Sequence, residues 1–261
     1  MMTLINNRHG QQLAVYTFGD AKNPSIIFSN SLGTDYSMWQ SQVAYFSKNY
    51  HVVCYDTRGH GKSSVNAHST LNDLANDVVD IINFFKIKKA HFCGISMGGI
   101  TGLQLALNEP TRFLSICIAN SAAKIGQQDA WLSRADSVEK QGLEELVNTT
   151  HTRWFSHKFD YIHNNIAQQT IQSLSVTQPT GYAASCRALA YADLQEQISR
   201  IQIPCLVICG SLDAITTVAD GEFIKSRIKD CELEILDASH LSNIEDSTGF
   251  NQVLFQFVTQ R

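Results

Sequence analysis

Short apolar runs alternate with longer stretches of helical periodicity along most of the chain. The runs at residues 25–29, 51–55, 90–93, 114–119, 205–209 and 232–236 are too short for helices and almost unbroken in apolar character. That is the pattern of strands buried on both faces of a parallel sheet. Ahead of them, residues 3–6 and 13–18 flank the turn pair His9-Gly10 and predict an antiparallel hairpin, which brings the total to about eight strands. Apolar residues at 71, 74, 75, 78, 81, 82 and 85 share one face of a helix predicted over 71–85, and a second helix is predicted over 99–107. Such alternation predicts an α/β domain with helices covering a mostly parallel sheet. Residues 122–195 break it, being polar, amphipathic and rich in Trp, Arg and Gln without a strong strand run. They predict a helical cap inserted before the last two strands. No repeat, low-complexity tract or Pro/Gly linker divides the chain, so residues 1–261 are expected to form one domain around that insertion.

Composition narrows the partners. With 44% hydrophobic and 17% charged residues, the chain of 261 can bury an enzyme-sized core. A net charge of −4, from 20 Lys+Arg against 24 Asp+Glu, gives no electrostatic footprint for nucleic acid or an anionic membrane. A small-molecule substrate is the expected partner, and homo-oligomerisation is left open. Seven cysteines lie scattered, with no C-x-x-C pair and several inside apolar runs, as reduced core residues of a cytoplasmic protein do. The first ten residues lack the design of a signal peptide, and no apolar run approaches the length of a membrane span.

The chemistry begins at Gly94-Ile95-Ser96-Met97-Gly98, a G-x-S-x-G segment placed between an apolar strand and a helix, where a nucleophile elbow must sit. Small residues two positions either side let the serine occupy a tight, strained turn, and the following helix points its positive end at the site. In this type of site the acid and then the histidine follow later strands. Asp213 follows the run 205–209 and His240 follows the run 232–236, so they are the expected acid and base. Asp237 lies too close to His240 to orient it, Asp220 reads as a helix residue, and His151, His157 and His163 lack the spacing of a zinc motif. Two backbone N–H groups should hold the oxyanion: Met97, after the nucleophile, and Leu32, in the early loop Asn30-Ser31-Leu32-Gly33-Thr34. Many relatives carry His-Gly where this chain has Asn30-Ser31, so the Ser31 hydroxyl either faces the substrate or caps the turn. The loop Asp56-Thr57-Arg58-Gly59-His60-Gly61 is not a phosphate loop, because its glycines are too closely spaced; Asp56, Arg58 and the glycines are expected to brace the site.

The segments Asn30-Ser31-Leu32-Gly33-Thr34-Asp35, Met38-Trp39, Asp56-Thr57-Arg58-Gly59-His60-Gly61, Gly94-Ile95-Ser96-Met97-Gly98-Gly99, Asp213-Ala214-Ile215-Thr216-Thr217 and Ala238-Ser239-His240-Leu241-Ser242-Asn243 together resemble the 3-oxoadipate enol-lactonases of the α/β-hydrolase superfamily. The likeness spans nearly the whole chain. It implies the α/β-hydrolase fold and cofactor-free hydrolysis of a five-membered enol-lactone to 3-oxoadipate in aromatic catabolism, by a free-standing hydrolase working through an acyl-enzyme on Ser96. It also implies that a substrate carboxylate meets a cation or several donors in the cap. Trp131 and Arg134, spaced to share a helix face, Arg153 with Trp154, and Arg187 are the candidates. Two alternatives with the same triad remain, a general carboxylesterase and a carbon–carbon bond hydrolase of a ring-cleavage product. A non-catalytic ligand receptor is a third, since fold does not fix function.

Overall fold

Each apolar run named above is a strand in the structure, a computed structural model that describes residues 1–261. The strands are β1 (Met2–Asn6), β2 (Gln12–Phe18), β3 (Ser25–Ser29), β4 (His51–Tyr55), β5 (Ala90–Ile95), β6 (Phe113–Ala119), β7 (Cys205–Gly210) and β8 (Cys231–Leu236). They form one sheet in the order β1-β2-β4-β3-β5-β6-β7-β8. β1 and β2 form the antiparallel hairpin, β2 joins β4 antiparallel, and every later pairing is parallel. The central strands β3, β4, β5 and β7 are buried along their whole length, which is why they read as unbroken apolar runs, whereas β8 at the sheet edge alternates with exposed residues. β5 runs two residues beyond its predicted end, because Gly94 keeps register with Ser29 on one side and Ile118 on the other.

Helices cover both faces: α1 (Gln40–Phe46), α2 (Leu71–Phe84), α3 (Met97–Asn108), α8 (Val218–Arg227), α9 (Ser242–Glu245) and α10 (Ser247–Thr259). Thr70 and Asp73 make a reciprocal capping box that starts α2, and Leu71, Leu74, Val78, Ile81 and Ile82 are buried on its sheet-facing side. α3 starts at Met97, two residues earlier than its apolar pattern predicts, because Ser96 itself turns the chain. Between β6 and β7 four helices follow one another: α4 (Gln128–Gln141), α5 (Glu144–Trp154), α6 (Asn165–Ser175) and α7 (Pro179–Ala190). They fill the interval 122–195 in which strand periodicity fails.

The core under this layer includes fully buried Phe28, Trp39, Phe46, Phe92, Phe113 and Phe250. Each such side chain contributes roughly 1.5–3 kcal/mol by leaving water. The register places Ser29, Gly94, Ile118 and Ala119, Ile208, and Leu236 at one edge, the carboxyl ends of the parallel strands. Sites in open α/β sheets lie at that edge. All seven cysteines are free thiols, and no helix is long and apolar enough to cross a membrane.

Candidate active site

Ser96 sits at the turn between β5 and α3 with φ +56° and ψ −113°, a left-handed conformation that few non-glycine residues adopt. Two neighbours permit it. A Cβ on Gly94 would lie 2.1 Å from the Gly98 carbonyl oxygen, and a Cβ on Gly98 would lie 2.2 Å from that of Ser29. The turn is also tied down: the Ser96 N–H donates to the Ala119 carbonyl at 3.0 Å, and the Ser121 hydroxyl donates to the Ser96 carbonyl at 2.7 Å.

His240 follows β8 and Asp213 follows β7. Their side chains meet with His240 Nδ1 2.8 Å from Asp213 Oδ2, both groups almost fully buried. The carboxylate is saturated with donors, since Oδ1 accepts from the N–H groups of Ile215 (2.8 Å) and Thr216 (3.1 Å), and Oδ2 also accepts from the Thr216 hydroxyl (2.8 Å). Burial alone would push this carboxyl up; the charge of His240 and these hydrogen bonds outweigh it and hold Asp213 below its ordinary value. It therefore stays ionised and orients the imidazole through Nδ1. His240 and Ser96 line one small chamber of about 40 Å³, together with Ser31, Leu32, Trp131, Arg134, Arg153 and Trp154. The rival acid, Asp237, is exposed and pairs with Lys158, and Asp220 caps α8 with Thr217.

The early loop closes the chamber from the other side. Ser31 through Thr34 form a tight turn with Gly33 at φ +82°, closed by Thr34 N–H and hydroxyl bonds to the Ser31 carbonyl. The Leu32 N–H has no protein acceptor, and Met97, at the first position of α3, has no intrahelical one. Asn30 is a buried bracket. Its carbonyl accepts the Gly98 N–H, its amide donates to the Tyr55 carbonyl, and its amide oxygen takes the Trp39 indole N–H. The Ser31 hydroxyl bonds to no residue of the turn; only its carbonyl does.

The loop after β4 braces this turn, and the bracing includes a residue that the sequence did not single out. His60 is fully buried; its Nε2 accepts the Gly33 N–H at 3.1 Å while Nδ1 donates to the Arg58 carbonyl. Burial pulls His60 down to about 4, so the ring is neutral and able to accept. Arg58 is clamped on Asp77 at 2.7 Å, and Asp56 accepts from the Tyr16 hydroxyl and the N–H groups of Tyr36 and Lys62. On the outer side, the Gly59 backbone touches that of Gly181 in α7 so closely that a Cβ on Gly59 would lie 2.6 Å from the Gly181 Cα.

The cap supplies the far wall. Arg134 of α4 stacks over the Trp131 ring at 5.0 Å, and Arg153 and Trp154 come from the end of α5. Burial, then the nearby charge of Arg134, pull the Arg153 guanidinium below its ordinary value, with no carboxylate acting on it. Arg187 is not brought here. It lies on the outer side of α7, bound to Glu139 at 2.7 Å and to Asp136 at 3.4 Å, because α7 turns its small residues inward and its arginine toward α4. Ile125, Leu146, Thr150, Leu174, Tyr182 and Ile215, none of them distinctive in sequence, complete the chamber. A larger, open vestibule of about 630 Å³ adjoins it, and Ile125, Trp131, Arg134, Arg153 and Ile215 line both. His157 faces that vestibule, His151 stacks on Tyr161, and His163 is an exposed partner of Asp160.

A serine on a strand-to-helix elbow, with an acid and a histidine delivered by later strands, defines an α/β hydrolase. Residues 24–247 match the family described as "alpha/beta hydrolase fold", and the chain belongs to it. Within that class it belongs with the 3-oxoadipate enol-lactonases. It is 54% identical over 98% of its length to 3-oxoadipate enol-lactonase 1 of Acinetobacter baylyi, covering 96% of that protein. It is 48% identical to 3-oxoadipate enol-lactonase 2 of the same organism, over 91% of this chain and 90% of that one. The crystal structure of the enol-lactonase from Burkholderia xenovorans superimposes with a TM-score of 0.95 at 36% identity, covering 98% of this chain and all of the other.

Proposed function

We propose that the protein hydrolyses 3-oxoadipate enol-lactone to 3-oxoadipate. One observation carries the choice of substrate over a generic ester: the chamber that holds Ser96 and His240 has Arg134 and Arg153 on its cap side, and neither is neutralised by a carboxylate of the chain. Two uncompensated guanidinium groups at a partly buried wall are stable partners for an anionic side chain carried by the lactone.

Ser96 Oγ attacks the lactone carbonyl as His240 takes its proton, and Asp213 stabilises the imidazolium through Nδ1. The oxyanion meets the Leu32 and Met97 N–H groups at the positive end of α3. Collapse breaks the ring C–O bond and expels an enolate, which takes a proton from His240 and relaxes to the ketone. Water activated by the neutral histidine then cleaves the ester on Ser96, releasing the second carboxylate. Substrate would enter from the vestibule, whose lining of Ile125, Trp131, Arg134, Arg153 and Ile215 is shared with the chamber and comes mostly from the cap insertion of residues 122–195. The seven free thiols suit a cytoplasmic site of action.

The test compares turnover of the enol-lactone with that of p-nitrophenyl acetate, alongside fluorophosphonate labelling of the protein and of Ser96→Ala. The expected result is a strong preference for the lactone and loss of labelling in the variant. Equal turnover of the two substrates would sink the lactone, and a labelled variant would sink Ser96.

A further inference from the structure

Asn120 directly follows β6, as Asp213 follows the neighbouring β7 three residues past its end, and it holds a backbone conformation that an ordinary residue avoids, with φ +42°. It is fully buried, and every polar atom of its side chain is committed. The amide nitrogen gives one proton to Asp213 Oδ2 at 3.1 Å and the other to the Ser239 carbonyl at 3.1 Å, while the amide oxygen accepts the hydroxyl of fully buried Ser242. Asp213 Oδ2 and the Ser239 carbonyl are acceptors only, and the Ser242 hydroxyl has a proton to give, so the amide fits in one orientation. Its own N–H is fixed at 2.7 Å on the Ile208 carbonyl of β7. A single side chain thus ties together the ends of three strands' loops, including those that deliver the acid and the base.

We propose that Asn120, oriented by Ser242, is a positioning residue that locks Asp213 and His240 into their mutual geometry. The proposal rests on the reading of Asp213 and His240 as acid and base. The amide donates to the same Asp213 oxygen that accepts from His240 Nδ1 and the Thr216 hydroxyl. Removing it takes away one of three donors at that oxygen and frees the residue 239–242 segment from β6. The other ionisable groups around the pair are Cys209 behind Asp213, Glu245, which accepts the Ser239 N–H, and Arg134 and Arg153 across the chamber.

Three variants test it on the full-length enzyme. Asn120→Gly keeps a residue at ease in the left-handed region but deletes the amide, and should lower kcat about ten- to hundred-fold with KM within about two-fold. Asn120→Asp places a carboxyl against two acceptors. A carboxyl there must either hold its proton or repel Asp213, so kcat should fall at least as far as in Asn120→Gly with KM little changed. Ser242→Ala leaves the backbone of residue 120 untouched and releases the amide, so it carries the kcat test if Asn120→Gly does not fold. A kcat within about two-fold of the parent in any of the folded variants overturns the proposal. His240→Ala distinguishes the two layers: near-normal turnover there refutes the acid–base reading itself, whereas an inactive His240→Ala beside unperturbed Asn120 variants refutes only the positioning role.

Discussion

The two walls of the chamber are built on opposite rules. On the sheet side the acid and the oxyanion turn are tied down: Asp213 takes donors from His240, Thr216, Ile215 and Asn120, and Gly33 is pinned by His60. On the cap side Arg134 and Arg153 reach the same space with no carboxylate partner, resting on aromatic and aliphatic surface. Rigid, saturated polar contacts suit groups that must be in place before the reaction, because electrostatic preorganisation acts only if nothing has to reorganise. Unsatisfied cations suit a wall that must bind, move and let go. Under the proposed function, that division puts chemistry at the sheet edge and recognition on the cap.

The largest effect expected from that division lies on the sheet side. His240→Ala should lower kcat by about four to six orders of magnitude, and Asp213→Asn somewhat less, measured as steady-state turnover of the lactone. Cap substitutions should be milder and selective. Arg153→Ala and Arg134→Ala should each reduce kcat/KM on the carboxylate-bearing lactone about ten- to hundred-fold, while p-nitrophenyl acetate turnover stays within about three-fold. A parallel loss on both substrates would put these arginines on the catalytic side of the comparison.

Smaller again is a pH effect on stability from the sheet side. His60 is pulled from 6.5 to about 4 in the folded state, so its contribution is present above pH 6.5 and is lost as pH falls toward 4. That amounts to about 3 kcal/mol across the window. His60→Gln keeps an acceptor for Gly33 and cannot titrate. Its urea midpoint should therefore gain on that of the parent as pH is lowered from 7 to 4, and a constant difference would show that His60 is not buried neutral. Buried Asp56, raised to about 6, contributes in the reverse direction in both proteins and cancels from the difference. The smallest effect belongs to Arg187. Its pairs with Glu139 and Asp136 lie at the surface, and Arg187→Ala should change lactone turnover less than about two-fold and stability by under about 1 kcal/mol.

The same contrast explains what could be read from the chain. Strands buried on both faces leave continuous apolar runs, so β3 to β7 and the elbow at Ser96 were legible to within a residue or two. Asp213 and His240 could be paired from the sequence because each follows a strand, and the structure brings their side chains to 2.8 Å. Asn120 carries the same signal, a polar residue directly after the run 114–119, but an amide does not announce catalysis as a carboxylate does. His60 sits in a motif of charges and glycines, where a neutral buried imidazole has no sequence signature of its own, and the contact with Gly33 gives it a task. The cap was the least legible part. Spacing could not decide that Arg153, near the end of α5, lines the chamber while Arg187 does not; Arg187 is directed away by α7 lying against α4 and the Gly59 loop.

The backbone of Ser96 has an evolutionary consequence. At φ +56° a serine is held in a conformation that disfavours it by roughly 1–3 kcal/mol, and glycine at that position would be under no such strain. Drift toward a more robust fold and retention of the reaction therefore pull this one residue in opposite directions. A lineage released from the need to turn over its substrate would be expected to lose the serine early, and to become sturdier as it did so.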